Sequence, residues 1–138
     1  VIIIIVQEEA GNMIVGKKKK NNSKFISDRS RRSLDYAISK IKNSPVSPYV
    51  SNLYLYGSCA RHEETYKSDV DLFLEINETA PLKDIRDELI ILKGAVTPTK
   101  SDLPEVDLKI VIGDKWKSDN MLYYKNIKRE GVSLWDRK

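Results

Sequence analysis

The chain has 138 residues, 41% of them hydrophobic and 32% charged, and a formal net charge of +4. This composition fits one globular domain with its own core. The charge suits a nucleotide or an acidic partner and is too small to make nucleic acid the main partner. A single cysteine, Cys59, excludes an internal disulfide and fits a reducing compartment, so a cytoplasmic location is expected.

The apolar run Val1–Val6 is too short to cross a bilayer and acids follow it, so no membrane partner is expected. The run also lacks the basic leader and cleavage pattern of a signal peptide. Residues 1–16 read as two short β segments joined near Ala10-Gly11-Asn12, an added hairpin or arm. Such an apolar edge is expected to be covered, by the sheet, a partner or a second copy in a homo-oligomer. Residues 17–24, KKKKNNSK, read as a basic, solvated linker. The expected division is therefore an arm and linker over residues 1–24 and one domain over residues 25–138.

Residues 28–43 read as the first helix, capped by Ser27 or Asp28. Leu34, Ile38 and Ile41 form its apolar stripe, with Ala37 beside it. Arg29, Arg31 and Arg32 crowd the opening turn against the helix dipole and read mainly as exposed surface. Ser44-Pro45 and Ser47-Pro48 then break the chain.

Residues 51–76 hold the chemistry: strand, tight turn, short helix or loop, strand. Leu53 and Leu55 alternate with Tyr54 and Tyr56 up to Gly57. A glycine there lets backbone approach a ligand, and a short helix from Ser58 would offer free N–H groups to an anion. Arg61, one turn on, can pair with a phosphate oxygen. The next strand runs from about Asp69 to Ile76. Its even positions, Val70, Leu72, Leu74 and Ile76, share the core face. Asp69, Asp71, Phe73 and Glu75 share the other. Neighbouring carboxylates on one face repel unless a cation lies between them, and hard oxygen donors suit Mg²⁺. Phosphate turn and acid pair together point to chemistry on a nucleotide polyphosphate. Cys59, between them, reads as a small filler and not a nucleophile. His62, the only histidine, reads as an exposed loop residue.

Residues 81–94 read as a helix from Pro81 to Gly94, with Leu82, Ile85, Leu89 and Leu92 inward. Residues 105–112 read as a strand with Val106, Leu108, Ile110 and Ile112 on the core face. Asp107 and Lys109 lie on the other face. If this strand lies beside 69–76, Asp107 can complete a three-carboxylate site; Asp102 and Glu105 compete by residue type. Residues 116–131 read as the last helix, beginning near Ser118 or Asp119 and capped by Gly131, with Trp116, Tyr123 and Ile127 inward. Trp135 is expected to dock on the domain.

Gly57-Ser58, ten residues, then Asp69-Val70-Asp71 resembles the G-S-x₁₀-D-x-D signature of the polymerase-β-like nucleotidyltransferase superfamily. With Ala60, Arg61, Ser68 and Leu72, residues 30–135 look most like the minimal nucleotidyltransferases often paired with HEPN-domain toxins. His62 departs from the pattern, since many members have glycine there.

The resemblance implies an α/β (α+β) nucleotidyltransferase fold, a small mixed β-sheet flanked by helices, here with the extra N-terminal β segment. It implies Mg²⁺, as two ions, on Asp69, Asp71 and Asp107. It implies nucleoside triphosphate at Gly57, Ser58 and Arg61, with ATP as donor. It implies AMP transfer to a hydroxyl on a partner protein, a HEPN-domain toxin for which the chain is the antitoxin. The alternatives are a non-catalytic antitoxin that neutralises a HEPN ribonuclease by contact, and a nucleotidyltransferase acting on a small molecule.

Overall fold

The computed structural model describes residues 27–100 and 102–135. The hairpin read over residues 1–16 and the linker over 17–24 lie outside the described residues. In chain order the elements are α1 (Asp28–Lys42), β1 (Val50–Tyr56), β2 (Val70–Ile76), α2 (Leu82–Ala95), β3 (Val106–Ile112), α3 (Leu122–Glu130) and β4 (Val132–Ser133). Short 3₁₀ turns precede β1 at Ser47–Tyr49 and follow β3 at Lys115–Ser118. The mixed α/β architecture is the one expected.

α1 starts where Ser27 places its hydroxyl to accept the Ser30 N–H at 3.2 Å, satisfying one of the helix's unpaired donors. Its buried face carries Leu34, Ala37 and Ile41, with Ser30 and Ser33 between them. Ser33 is satisfied there by donating to the Pro104 carbonyl at 2.7 Å. Arg29, from the crowded opening turn, donates from Nε to the Asp102 carbonyl at 3.0 Å and stacks over the Tyr66 ring at 4.1 Å. It therefore ties two loops to the helix.

The sheet order is β3-β2-β1-β4. β1 and β2 pair antiparallel, with an irregularity between Val50 and Asn52. β2 and β3 pair parallel in unbroken register from Val70↔Val106 to Ile76↔Ile112. A parallel pair needs a crossover, and α2 supplies it. Val70, Leu72, Leu74 and Ile76 are fully buried with Leu53, Leu55 and Leu108 in one aliphatic core, which α1 and α2 close with Ile41, Ile85, Leu89 and Leu92. Each such side chain contributes about 1.5–3 kcal/mol when removed from water.

Several expectations need correction. The opposite face of β2, for which the sequence assigned no cover, packs too: Phe73 is buried with Trp116 and Ile127 in a second, aromatic core, joined by Tyr54, Tyr56, Tyr123 and Tyr124. The last helix does not run from residue 116. Trp116 sits in the 3₁₀ turn, and Asp119 Oδ1 accepts the Met121 N–H at 2.9 Å, holding an extended step before α3. α2 runs through Gly94 to Ala95, and Leu82 is exposed where an inward position was expected. Gly131 caps α3, although its φ is −67°, not left-handed. Glycine is needed there because a Cβ would meet the Ile127 carbonyl oxygen at 2.5 Å. After it, Val132–Ser133 adds an edge to β1 that sequence periodicity missed, and Trp135 packs on the aliphatic core as expected.

Candidate active site

β1 ends at Tyr56, and β2 and β3 begin nearby, so three residues form a row across the sheet. Tyr56 is paired with Asp71, and Asp71 with Asp107. Neighbouring strands lie about 4.8 Å apart, so the in-register carboxylates are close neighbours on one face. The strand period of two puts them there: Val70 and Val106 point into the aliphatic core, and the next residue on each strand points out. Asp69 stands just before β2 and is exposed. Asp102 and Glu105 are exposed ahead of β3, outside this row.

The strand β1 turns sharply at Gly57, whose φ is +78°. A Cβ there would also lie 2.4 Å from Asp71 Oδ2. Conformation and space both demand glycine, and the same contact brings the Asp71 carboxylate against the Gly57–Ser58 turn. The turn is not the regular helix weighed from sequence. It is a run of tight turns, closed by Arg61 N–H to Gly57 O at 3.1 Å, His62 N–H to Cys59 O at 3.2 Å and Glu63 N–H to Ser58 O at 2.8 Å. His62, at the position where the resemblance expects glycine, has φ 61° and so keeps the left-handed backbone. Cys59 is buried beneath, its thiol pushed up to about 11 mainly by burial, which fits the filler role.

Burial, then the charge of Asp107, then that of Asp69, push the Asp71 carboxyl up to about 6, with Lys109 and Arg61 acting the other way. Lys109 Nζ lies 3.3 Å from Asp107 Oδ1, so the lysine balances local acids. Above the row, the Tyr56 and Tyr123 hydroxyls bond each other at 2.9 Å, their rings edge to face. Burial and that hydroxyl partner push the Tyr56 phenol well above its ordinary range. It stays a neutral phenol and no ready nucleophile.

Arg61 is not solitary. Its Nε donates to Glu63 at 2.8 Å and its Nη1 to Glu130 at 3.0 Å, while Glu130 also accepts the Gly57 N–H at 2.9 Å. Sequence reasoning missed Glu130. Its signal is an acid in the last turn of a helix, where the dipole disfavours negative charge.

Among the described residues no three acidic, histidine or cysteine side chains converge into a ready-made metal cage. The paired donors still fit Mg²⁺ by chemistry, since that ion is usually held by one or two carboxylates plus substrate phosphates. Mutual repulsion between Asp71 and Asp107 is the feature a cation would relieve. A separate cleft of about 290 Å³ lies at the far end of the sheet, beside Glu75, Asn77 and Lys117, and contains none of these residues. Among the described residues no helix is long and apolar enough to cross a membrane.

The family profile of a nucleotidyltransferase domain matches residues 36–130. No curated protein matches the chain significantly. Among solved structures, the chain is similar to a protein of Sulfolobus solfataricus described as a candidate nucleotidyltransferase. The two share 18% identity and a TM-score of 0.48, over 86% of this chain and 91% of that one. It is also similar to a toxin–antitoxin structure with AMP-PNP, at 19% identity and a TM-score of 0.47, over 75% of this chain and 73% of that one.

Proposed function

Because the chain belongs to the nucleotidyltransferase domain family, we propose that it is a Mg²⁺-dependent enzyme that transfers AMP from ATP to a hydroxyl group. We assign that hydroxyl to a partner protein, a HEPN-domain toxin, with this chain as its antitoxin. The chemistry is supported above all by one observation: Asp71 and Asp107 are in register on adjacent strands, with the Gly57 turn against Asp71. The acceptor and the partner rest on the resemblance of residues 30–135 to the minimal nucleotidyltransferases.

In this reading Asp69, Asp71 and Asp107 hold Mg²⁺, which supplies charge neutralisation for the triphosphate. Ser58 and the backbone near Gly57, past the N–H that Glu130 holds, bind the β- and γ-phosphates. Arg61 adds its Nη2 group, which has no hydrogen-bond partner among the described residues. Asp107, half exposed beside Lys109, either ligates a second metal ion or takes the proton of the attacking hydroxyl. The acceptor oxygen bonds to the α-phosphorus, the bond to the bridging oxygen breaks, and pyrophosphate leaves. Most of the acceleration comes from positioning and charge, as in other phosphoryl chemistry.

A second reading, an antitoxin acting by contact alone, is favoured by the exposed Ile90 and Ile91 on α2. One experiment separates the two. ATP labelled on the α- or the γ-phosphate is incubated with Mg²⁺ and native cell extract, using wild type or the double variant Asp69→Asn, Asp71→Asn. A protein band labelled only from the α-position, and only by wild type, is expected. Label from the γ-position overturns the transfer chemistry. Partner capture by both proteins without label favours contact alone.

A further inference from the structure

The carboxylate of Glu130 joins two parts of the site that lie far apart in the chain. Its Oε2 accepts the Gly57 N–H at 2.9 Å and the Arg61 Nη1–H at 3.0 Å. Its Oε1 lies 3.8 Å from Arg129. The Glu130 side chain is 13% exposed, whereas Glu63, the other partner of Arg61, is 65% exposed. Solvent weakens the Glu63 pair, so Glu130 is the partner that fixes the guanidinium. The acid also sits at the C-terminal end of α3, where the helix itself disfavours it. Its two donors offset that cost.

Both donors belong to the proposed nucleotide site. Gly57 must keep its left-handed turn while Asp71 Oδ2 fills the space of a Cβ. A bond to its N–H from a partly buried carboxylate on α3 pins the turn. The same carboxylate, with Glu63, occupies Nε and Nη1 of Arg61 and leaves Nη2 directed elsewhere. α3 thus reaches the phosphate turn through one side chain.

We propose that Glu130 is a positioning residue of the nucleotide site: it holds the Gly57–Ser58 turn against Asp71 and aims Arg61 at the triphosphate. The proposal rests on the nucleotidyltransferase reading. It differs in sign from a carboxylate that merely fills the anion seat. Removing such an occupant would tighten nucleotide binding, and removing a positioning residue weakens it.

The test uses the full chain as wild type, Glu130→Gln and Glu130→Ala. Mg²⁺-ATP affinity is measured by calorimetry, Gly57 amide exchange by NMR, and folding by urea titration. Glu130→Ala is expected to weaken Mg²⁺-ATP by about tenfold and to speed Gly57 exchange, on the scale of a lost charged hydrogen bond. Glu130→Gln keeps an acceptor, so it should restore slow Gly57 exchange and recover part of the affinity. Unchanged or tighter Mg²⁺-ATP binding by a folded Glu130→Ala overturns the proposal and leaves the nucleotidyltransferase reading standing. A wild type that binds no Mg²⁺-ATP overturns both. Should Glu130→Ala fail to fold, Glu130→Gln decides by affinity: a partial loss of Mg²⁺-ATP binding supports the proposal, and binding equal to or tighter than wild type overturns it.

Discussion

The two faces of β2 each pack against a core and do opposite work. One presents Val70, Leu72, Leu74 and Ile76 to an aliphatic core under α1 and α2. The other presents Asp71, Phe73 and Glu75 beneath Trp116 and α3. The first face has no polar atom to satisfy and contributes only burial. The second carries acids at its edge, with aromatic packing to hold them in place. Stability and chemistry are thus separated by one residue of strand period, and substitutions at adjacent positions should move them in opposite directions.

Leu72→Ala should show the largest effect. Leu72 is fully buried between its strand partners Leu55 and Leu108. Truncation leaves a cavity and should lower unfolding free energy by about 2–5 kcal/mol, read by urea titration. Nucleotide affinity per folded molecule should be unchanged. An equal loss of affinity would mean that the aliphatic face sets the geometry of the acids as well as the stability of the sheet.

Asp71→Asn, one residue away, should do the reverse. The folded carboxyl titrates at about 6 against an ordinary value of 3.8. Below about pH 3.8 both folded and unfolded chains carry the proton, and the folded state loses nothing. As pH rises through 6, the folded state must give up a proton it holds more tightly than the unfolded chain does, and stability falls. Asparagine removes that loss. In chelator-treated protein the variant should be more stable by about 1–2 kcal/mol at pH 8, after allowance for solvent screening of a half-exposed carboxylate. The gain should vanish near pH 3.8. A gain of equal size at both pH values would assign it to packing and remove repulsion as its source.

The unequal legibility of the two faces has a physical reason. Strand alternation is local, so the aliphatic positions, Asp71 and Asp107 could each be placed on a face from sequence. The Gly57–Ser58 turn and its spacing to Asp69 were also local. That Asp71 and Asp107 fall in register depends on the α2 crossover, which no local pattern fixes. The aromatic core was hidden for the same reason, because Phe73 and Trp116 meet only after the chain has folded back. The step at Asp119–Met121 broke a helix that residue type alone would have continued. Glu130 reaches Gly57 across 73 residues, and only its poor place in the helix dipole marked it.

The smallest effect should come from His62→Gly, and it tests whether the turn's shape belongs to backbone or side chain. His62 is exposed with φ 61°, and its N–H closes a turn on the Cys59 carbonyl at 3.2 Å. A left-handed residue other than glycine costs about 1–2 kcal/mol, less for histidine than for bulkier types. Glycine relieves that strain but loses about 0.4–1 kcal/mol to the greater freedom of the unfolded chain. The net gain should be under about 1 kcal/mol, a rise of about 1–4 °C in thermal midpoint. His62→Val should lower the midpoint, because a β-branched side chain fits this conformation poorly. A fall for glycine as well would show that the imidazole holds the turn through contacts of its own, and the turn beside Asp71 would then depend on a side chain as well as on its backbone.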